Sequence, residues 1–195
     1  KISSNLLPHP NWRLVPIAEF VKKRGDVKNN NEDDLKTIDP ALMLGLQAGY
    51  EKAFDRNNIL TANITWAHDV TGNNDGWISQ PGVNYRRQLT DRLKMNIATN
   101  VTYASDDYME TYFSIGQNNS ARSGLKTYNA DAGFKDVGAN LTLTYNLNQS
   151  WALGRLVGYK RLLGDAADSP VVDDAGSENQ FVAGVFFTYS WQTGD

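Results

Sequence analysis

His9 and His68 are the only imidazoles in the chain, and cysteine is absent. A hydrolase built on Ser, His and an amide or acid partner would have to draw on one of these two bases. His9 lies between Pro8 and Pro10, and His68 stands beside Asp69 at the end of an alternating run. A general base must come within hydrogen-bond reach of its nucleophile, and no G-x-S-x-G elbow surrounds any serine. No catalytic residue is expected, and His68 reads as an interfacial polar residue. Asp165, Asp168, Asp173 and Asp174 could offer oxygens to a hard cation. Their spacing matches no calcium loop, and acidic residues around Ser169-Pro170 suit a turn. No metal and no cofactor are expected. The lack of thiols also removes disulfides and thiolate metal sites.

The elements that carry these residues alternate with period two, the pattern of strands with one apolar face. A first strand starts at Trp12, with Leu14, Ala18 and Phe20 in phase; its alternation is imperfect, and Pro16 marks an edge or bulge. A second runs over about 41–53, a third carries Leu60 to Trp66, and a fourth runs from Trp77 to Tyr85, broken at Pro81-Gly82. A fifth carries Leu93 to Tyr103, a sixth covers about 128–147, a seventh begins at Trp151, and the last runs from Phe181 to Trp191. In the sixth, Tyr128 to Phe134 is out of phase with Val137 to Leu147. A one-residue slip near Lys135-Asp136 fits a β-bulge. No stretch shows helical periodicity. The fold class is all-β and antiparallel, with about eight strands.

Connections run long, short, medium, short, long, short, long. Tight turns at Asp55–Asn58, Thr90–Arg92 and Asn148–Ser150 alternate with 105–127 and 164–178. Transmembrane barrels have this asymmetry, with short periplasmic turns and longer external loops. Mean hydropathy is −0.50, and no apolar run approaches the roughly 18 residues that a membrane helix needs. A barrel escapes that test because its strands hide their lipid face in alternation. The net charge is −3 with scattered Lys and Arg, which argues against nucleic acid. The start of the chain lacks the charged, then apolar, then small-residue pattern of a signal peptide.

The polar phase of the strands is built from Gly, Asn, Thr, Gln and Ser, with occasional charges such as Glu51, Arg86 and Lys94. Small amides suit a hydrated lumen better than a soluble exterior, so the apolar phase is assigned outward, toward lipid. Arg155 resists, standing in the apolar phase between Leu153 and Val157. It is expected to face the lumen through a bulge at Gly154, or to meet another protein. The acidic run Asn31-Glu32-Asp33-Asp34 reads as a solvated loop of a kind that can hold divalent ions bridging lipopolysaccharide.

Several motifs carry a family resemblance: Tyr108-Met109-x-Thr111-Tyr112-Phe113, Ser120-Ala121-Arg122-Ser123-Gly124-Leu125 with Tyr128, and Lys135-Asp136-Val137-Gly138. Tyr159-x-Arg161-Leu162-x-Gly164-Asp165-Ala166-Ala167-Asp168-Ser169-Pro170 completes the set. In these the chain resembles the MipA/OmpV family of outer-membrane proteins, from about residue 12 onward. The resemblance implies a single outer-membrane barrel domain over residues 1–195, with these strands as the C-terminal part of a barrel of ten or twelve. Trp191 stands where such strands usually end on Phe, and the tail Gln192-Thr193-Gly194-Asp195 follows.

The resemblance further implies a non-enzymatic scaffold that brings a murein transglycosylase together with a peptidoglycan synthase, in contact with outer-membrane lipid and lipopolysaccharide. The short turns would be its contact surface. A narrow channel or small-solute and antibiotic binder is an alternative, and so is an adhesin acting through the external loops. Tyr108, Tyr112, Phe113, Arg122 and Tyr128, with Arg161, Asp165 and Asp168, are the candidate binding residues. Loops on a rigid scaffold tend to bind something; equally, segment 108–128 could fold into the lumen as a plug.

Overall fold

The computed structural model describes residues 5–21, 38–174 and 176–191. The Asn31–Asp34 run and the Gln192–Asp195 tail lie outside the described residues. Among the described residues eight strands form one antiparallel sheet in chain order. They are β1 (Trp12–Val21), β2 (Ala41–Ala53), β3 (Asn58–Asp69), β4 (Trp77–Gln88), β5 (Leu93–Ala104), β6 (Gly133–Asn146), β7 (Trp151–Leu162) and β8 (Asn179–Tyr189). Lengths of 10 to 14 residues suit tilted strands that cross a bilayer in about 9–11 residues. Each strand pairs with its chain neighbours, so β1 and β8 form the two edges. Pro16, which has no N–H to donate, sits on edge strand β1.

Alternation decides the two faces of the sheet. The outward phase presents Leu46, Ile64, Val83, Ile97, Leu141 and Val157, all of them exposed. Rings flank this apolar band at both ends. At the short-turn end Trp12 packs on Tyr50 at 5.1 Å, and Trp151 on Tyr189 at 4.8 Å. At the long-loop end Trp77 stacks on Tyr103 at 5.8 Å, Tyr103 meets Phe134 edge-on at 5.5 Å, and Tyr159 meets Phe181 at 4.9 Å. An apolar band between two aromatic girdles is the signature of a transmembrane barrel wall. Among the described residues no helix is long and apolar enough to cross a membrane.

Three expectations need correction. The described residues include four short helices: α1 (Asp106–Phe113), α2 (Gln117–Ser123), α3 (Gly164–Asp168) and α4 (Pro170–Asp173). Each is too short to display a period or to be stable alone; burial against the sheet holds them. The Asp165–Asp168 stretch expected as a turn is thus α3. The sixth strand begins at Gly133, and Tyr128 instead forms an isolated bridge with Ile115. The fourth strand is continuous through Pro81-Gly82: Ile64 faces Pro81 in the β3–β4 register, while the β4–β5 register passes from Ser79 to Gly82.

The expected slip near Lys135 is present. Thr102 faces Asp136 while Tyr103 faces Phe134, which leaves Lys135 as the extra residue of a β-bulge. The bulge turns both Lys135 and Asp136 toward the concave face. Arg155 receives no such treatment. It sits in unbroken register between Leu143 on β6 and Val185 on β8, exposed in the outward phase. The expected bulge at Gly154 is absent because Gly154 has another use. A Cβ there would stand 2.1 Å from Phe186 Cζ, so Gly154 is the seat for that ring on the inner face.

Candidate functional site

The connections at the long-loop end fold inward as a plug. Met109 of α1 is 1% exposed and clusters with Met43, Ala67, Ile78 and Ala104 of the wall, and with Leu162, Ala166 and Val172. Ile17 and Val21 of β1 pack against the same cluster, so the sheet curls around α1 from β1 to β7. A second cluster of Ile115, Leu125 and Val171 lies beside Tyr128. Gly76 admits α1 closely, since a Cβ there would lie 2.5 Å from Tyr108 N.

Polar ties hold the plug in register with the wall. The Trp77 N–H donates to Ser105 Oγ at 2.9 Å, and Ser169 Oγ, fully buried, donates to the Phe113 carbonyl at 2.6 Å. Ser169 also caps α4, whose first residue is Pro170. Asp69 accepts from Thr71 N and Oγ1, Asn73 N and Asn74 N at 2.5–2.9 Å, which folds the 70–76 loop under the plug.

The structure brings most of the candidate residues together as this plug. The Tyr108 and Tyr112 rings meet at a tilt with centroids 4.6 Å apart, and Asn74 Nδ2 donates to the Tyr112 hydroxyl at 3.3 Å. Phe113 packs against the main cluster. Tyr128 donates its hydroxyl to the Asp165 carbonyl at 3.0 Å, while the Asp165 carboxylate accepts from Asp131 N at 2.8 Å. Asp165 therefore ties the 128–131 segment to α3. The other three stand apart. Arg122 is exposed and donates to Asn119 at 2.7 Å, Arg161 pairs with Glu178 at 3.1 Å, and Asp168 is exposed at the end of α3. His9 and His68 lie at opposite ends of the sheet. His9 Nδ1 accepts from Asn11 N and Trp12 N, whereas His68 meets Trp66 edge-on at 6.2 Å.

Sequence reading missed the charged cluster beneath the plug. Asp136 is fully buried; it accepts from Thr102 Oγ1 at 2.8 Å and pairs with Lys135 at short range, with Lys160 Nζ 3.9 Å away. Gln80 Nε2 donates to Thr102 Oγ1 at 3.0 Å. Lys135 Nζ also lies 5.7 Å from the Tyr108 ring centroid, a cation–π contact that links plug to wall. The available signal was the phase slip itself, because a bulge in a lumen-facing run re-aims adjacent opposite charges to one side.

Burial pushes the Tyr108 hydroxyl well above its ordinary value near 10, and the charges of Glu19 and Asp136 add to the shift. Tyr128 is raised by burial and by Asp165, Asp168 and Asp131. Between the ordinary and the raised values the folded state holds protons that the unfolded state has released. These two tyrosines therefore leave plug stability unchanged below about pH 10 and lower it as pH rises beyond that. Tyrosinate absorbance followed alongside proteolysis of 105–132 should show the late-titrating tyrosines ionising together with cleavage. Cleavage that stays flat while all nine tyrosines titrate normally would refute this.

Comparison with known proteins gives a consistent picture. The family described as MltA-interacting protein MipA matches residues 1–191. YiaT of Escherichia coli K12 is 29% identical over 70% of this chain and 58% of its own length. Outer membrane protein OmpV of Vibrio cholerae is 29% identical over 66% of this chain and 48% of its own. The MltA-interacting protein of Escherichia coli K12 is 26% identical over 81% and 60%. The chain thus spans about half to three fifths of the length of the curated relatives it matches. These relatives are named as interacting or outer-membrane proteins, not as enzymes.

Proposed function

Because the chain belongs to the MltA-interacting protein MipA family, we propose that it is a non-enzymatic outer-membrane scaffold, holding a murein transglycosylase beside a peptidoglycan synthase at its periplasmic end. The outer membrane is its location, as for its relatives named outer membrane proteins. The observation that carries the scaffold reading is the contrast between its two ends. The long-loop end is packed with helices that tie to the wall. The short-turn end carries no helix among the described residues and is basic in a chain whose net charge is −3.

The turns after β2 and β4 gather Lys52, Arg56, Arg86, Arg87, Arg92 and Lys94 against Glu51, Asp55 and Asp91. Glu51 is already engaged by Arg13 at 3.1 Å and by Arg86 at 3.9 Å. Asp55 is taken by Asn57 N at 2.7 Å and Asn58 Nδ2 at 2.6 Å, which fixes the turn. Arg56 and Arg92 stand exposed at the two turn tips. A rigid, basic rim steers and orients an acidic partner surface.

Pull-down of a murein transglycosylase by the protein in detergent micelles tests this. Arg56→Glu with Arg92→Glu is expected to weaken capture at least about tenfold, and more at low salt, as rim charges do. Reversed turns that capture the enzyme as well as the unaltered protein would count against the scaffold reading.

A further inference from the structure

Below the plug the concave face carries an alternating ladder of asparagine and glycine. Asn63 faces Gly82, Asn100 faces Gly82 and Gly138, and Asn140 faces Gly158. The glycines make room for the amides. A Cβ on Gly158 would lie 2.3 Å from Asn140 Oδ1 and 2.7 Å from Val182 Cγ1, and one on Gly138 would lie 3.2 Å from Asn100 Oδ1. With no side chain at either glycine, the wall is hollowed between β5 and β8. The resulting cleft holds about 210 Å³; Asn100, Asn140, Lys160 and Gln180 line its polar side, and Val182, with Tyr159 and Phe181 bordering it, gives it an apolar side against which a sugar ring's C–H face could rest. That is below the roughly 300–1,000 Å³ of drug-sized ligand sites.

The polar groups of the cleft are not spent on the fold. The side-chain amides of Asn100, Asn140 and Gln180 form no hydrogen bond to another described group, whereas in the row above Gln47 donates to Thr65, Gln80 to Thr102 and Thr102 to Asp136. The Lys160 side chain is 45% exposed, and its Nζ comes no nearer than 3.9 Å to Asp136, whose charge is already met at short range by Lys135. One of the two ammoniums therefore lacks a full counter-charge, and it is the one that opens on the cleft.

We propose that this cleft binds a small hydroxylated carboxylic acid of about the size of one sugar acid. The Lys160 ammonium takes the carboxylate, and the amides of Asn100, Asn140 and Gln180 serve hydroxyls, since each amide both donates and accepts. A single surplus cation suits a monoanion; the cleft has no guanidinium fork of the kind that grips a phosphate. The site is independent of docking at the short turns.

Calorimetric titration of the micelle-embedded protein with sodium D-glucuronate, and with D-glucose at the same ionic strength, tests the proposal. Glucuronate is expected to bind saturably and glucose at least about tenfold more weakly. Lys160→Gln should weaken glucuronate by about tenfold to a hundredfold, the affinity equivalent of one charge-assisted hydrogen bond. Gly138→Ala keeps every charge and meets only a movable amide tip at 3.2 Å; it should weaken glucuronate by shallowing the cleft. Lys126→Gln, on the exposed plug surface, should leave binding unchanged. The proposal is overturned by absent saturable binding, by glucose binding as tightly as glucuronate, by an unaltered Lys160→Gln variant, or by an equal loss in Lys126→Gln.

Discussion

Asp136→Ala is expected to destabilise the protein by about 3–5 kcal/mol, the cost of stranding one member of a buried ion pair. Asp136 is fully buried, and the Lys135 side chain is only 13% exposed. Deleting the carboxylate leaves that ammonium without its counter-charge and strips Thr102 Oγ1 of its acceptor. The loss should spread to the plug, because Lys135 also lies against the Tyr108 ring. Urea titration followed by tryptophan emission reads the effect well, since Trp12, Trp66, Trp77 and Trp151 all lie on the outward-facing wall. Replacing both partners, Lys135→Met with Asp136→Leu, should recover most of the loss, since apolar pairs of similar volume often match buried ion pairs. A single variant as stable as the unaltered protein would show that Asp136 is not the anchor of this end.

Much of this architecture was legible in the sequence because a strand writes its environment with period two. The outward residues from Leu42 to Tyr50, and from Leu93 to Tyr103, announced a lipid-facing wall; the alternation of tight and long connections announced that short turns gather at one end and long connections at the other. The bulge was legible as a phase slip. The plug was not. Asp106 to Phe113 is barely two turns, and its apolar residues serve contacts with Met43, Ala67 and Ala104 that lie far away in the chain. Asp165 gave the appearance of a turn former, yet its role is to accept from Asp131 N, 34 residues distant. The Asn–Gly ladder was visible only as a small, amide-rich phase. That each amide lies over a glycine depends on the register between strands, which composition does not carry.

Arg155→Leu is expected to have the opposite sign to Asp136→Ala, stabilising the protein in lipid vesicles by about 2–4 kcal/mol, the cost of an arginine on a lipid face at mid-depth. Its position follows from counting along β7. Trp151 in one aromatic girdle and Tyr159 in the other are each four residues away, so Arg155 lies midway between the two belts. At about 3.3 Å per residue, with the tilt of a barrel strand, each belt is on the order of 10 Å away in depth. An arginine stem is shorter than that, and snorkelling relieves only part of the cost. Among the described residues no carboxylate pairs with Arg155, and its row neighbours Leu143 and Val185 give its charge nothing. A residue this costly is retained where something offsets it, and the unbroken register removes the lumen as that something. With the bulge absent, contact with another protein along the outer wall of β6 to β8 is the expectation that the following measurement tests. Reversible folding into short-chain phosphatidylcholine vesicles measures the isolated protein, where the full gain from leucine should be seen. The same substitution in native membranes should gain less, because there it also breaks the contact. A variant no more stable than the unaltered protein in pure lipid would mean that Arg155 is already solvated by water drawn into the bilayer, and would sink the protein-contact reading with it.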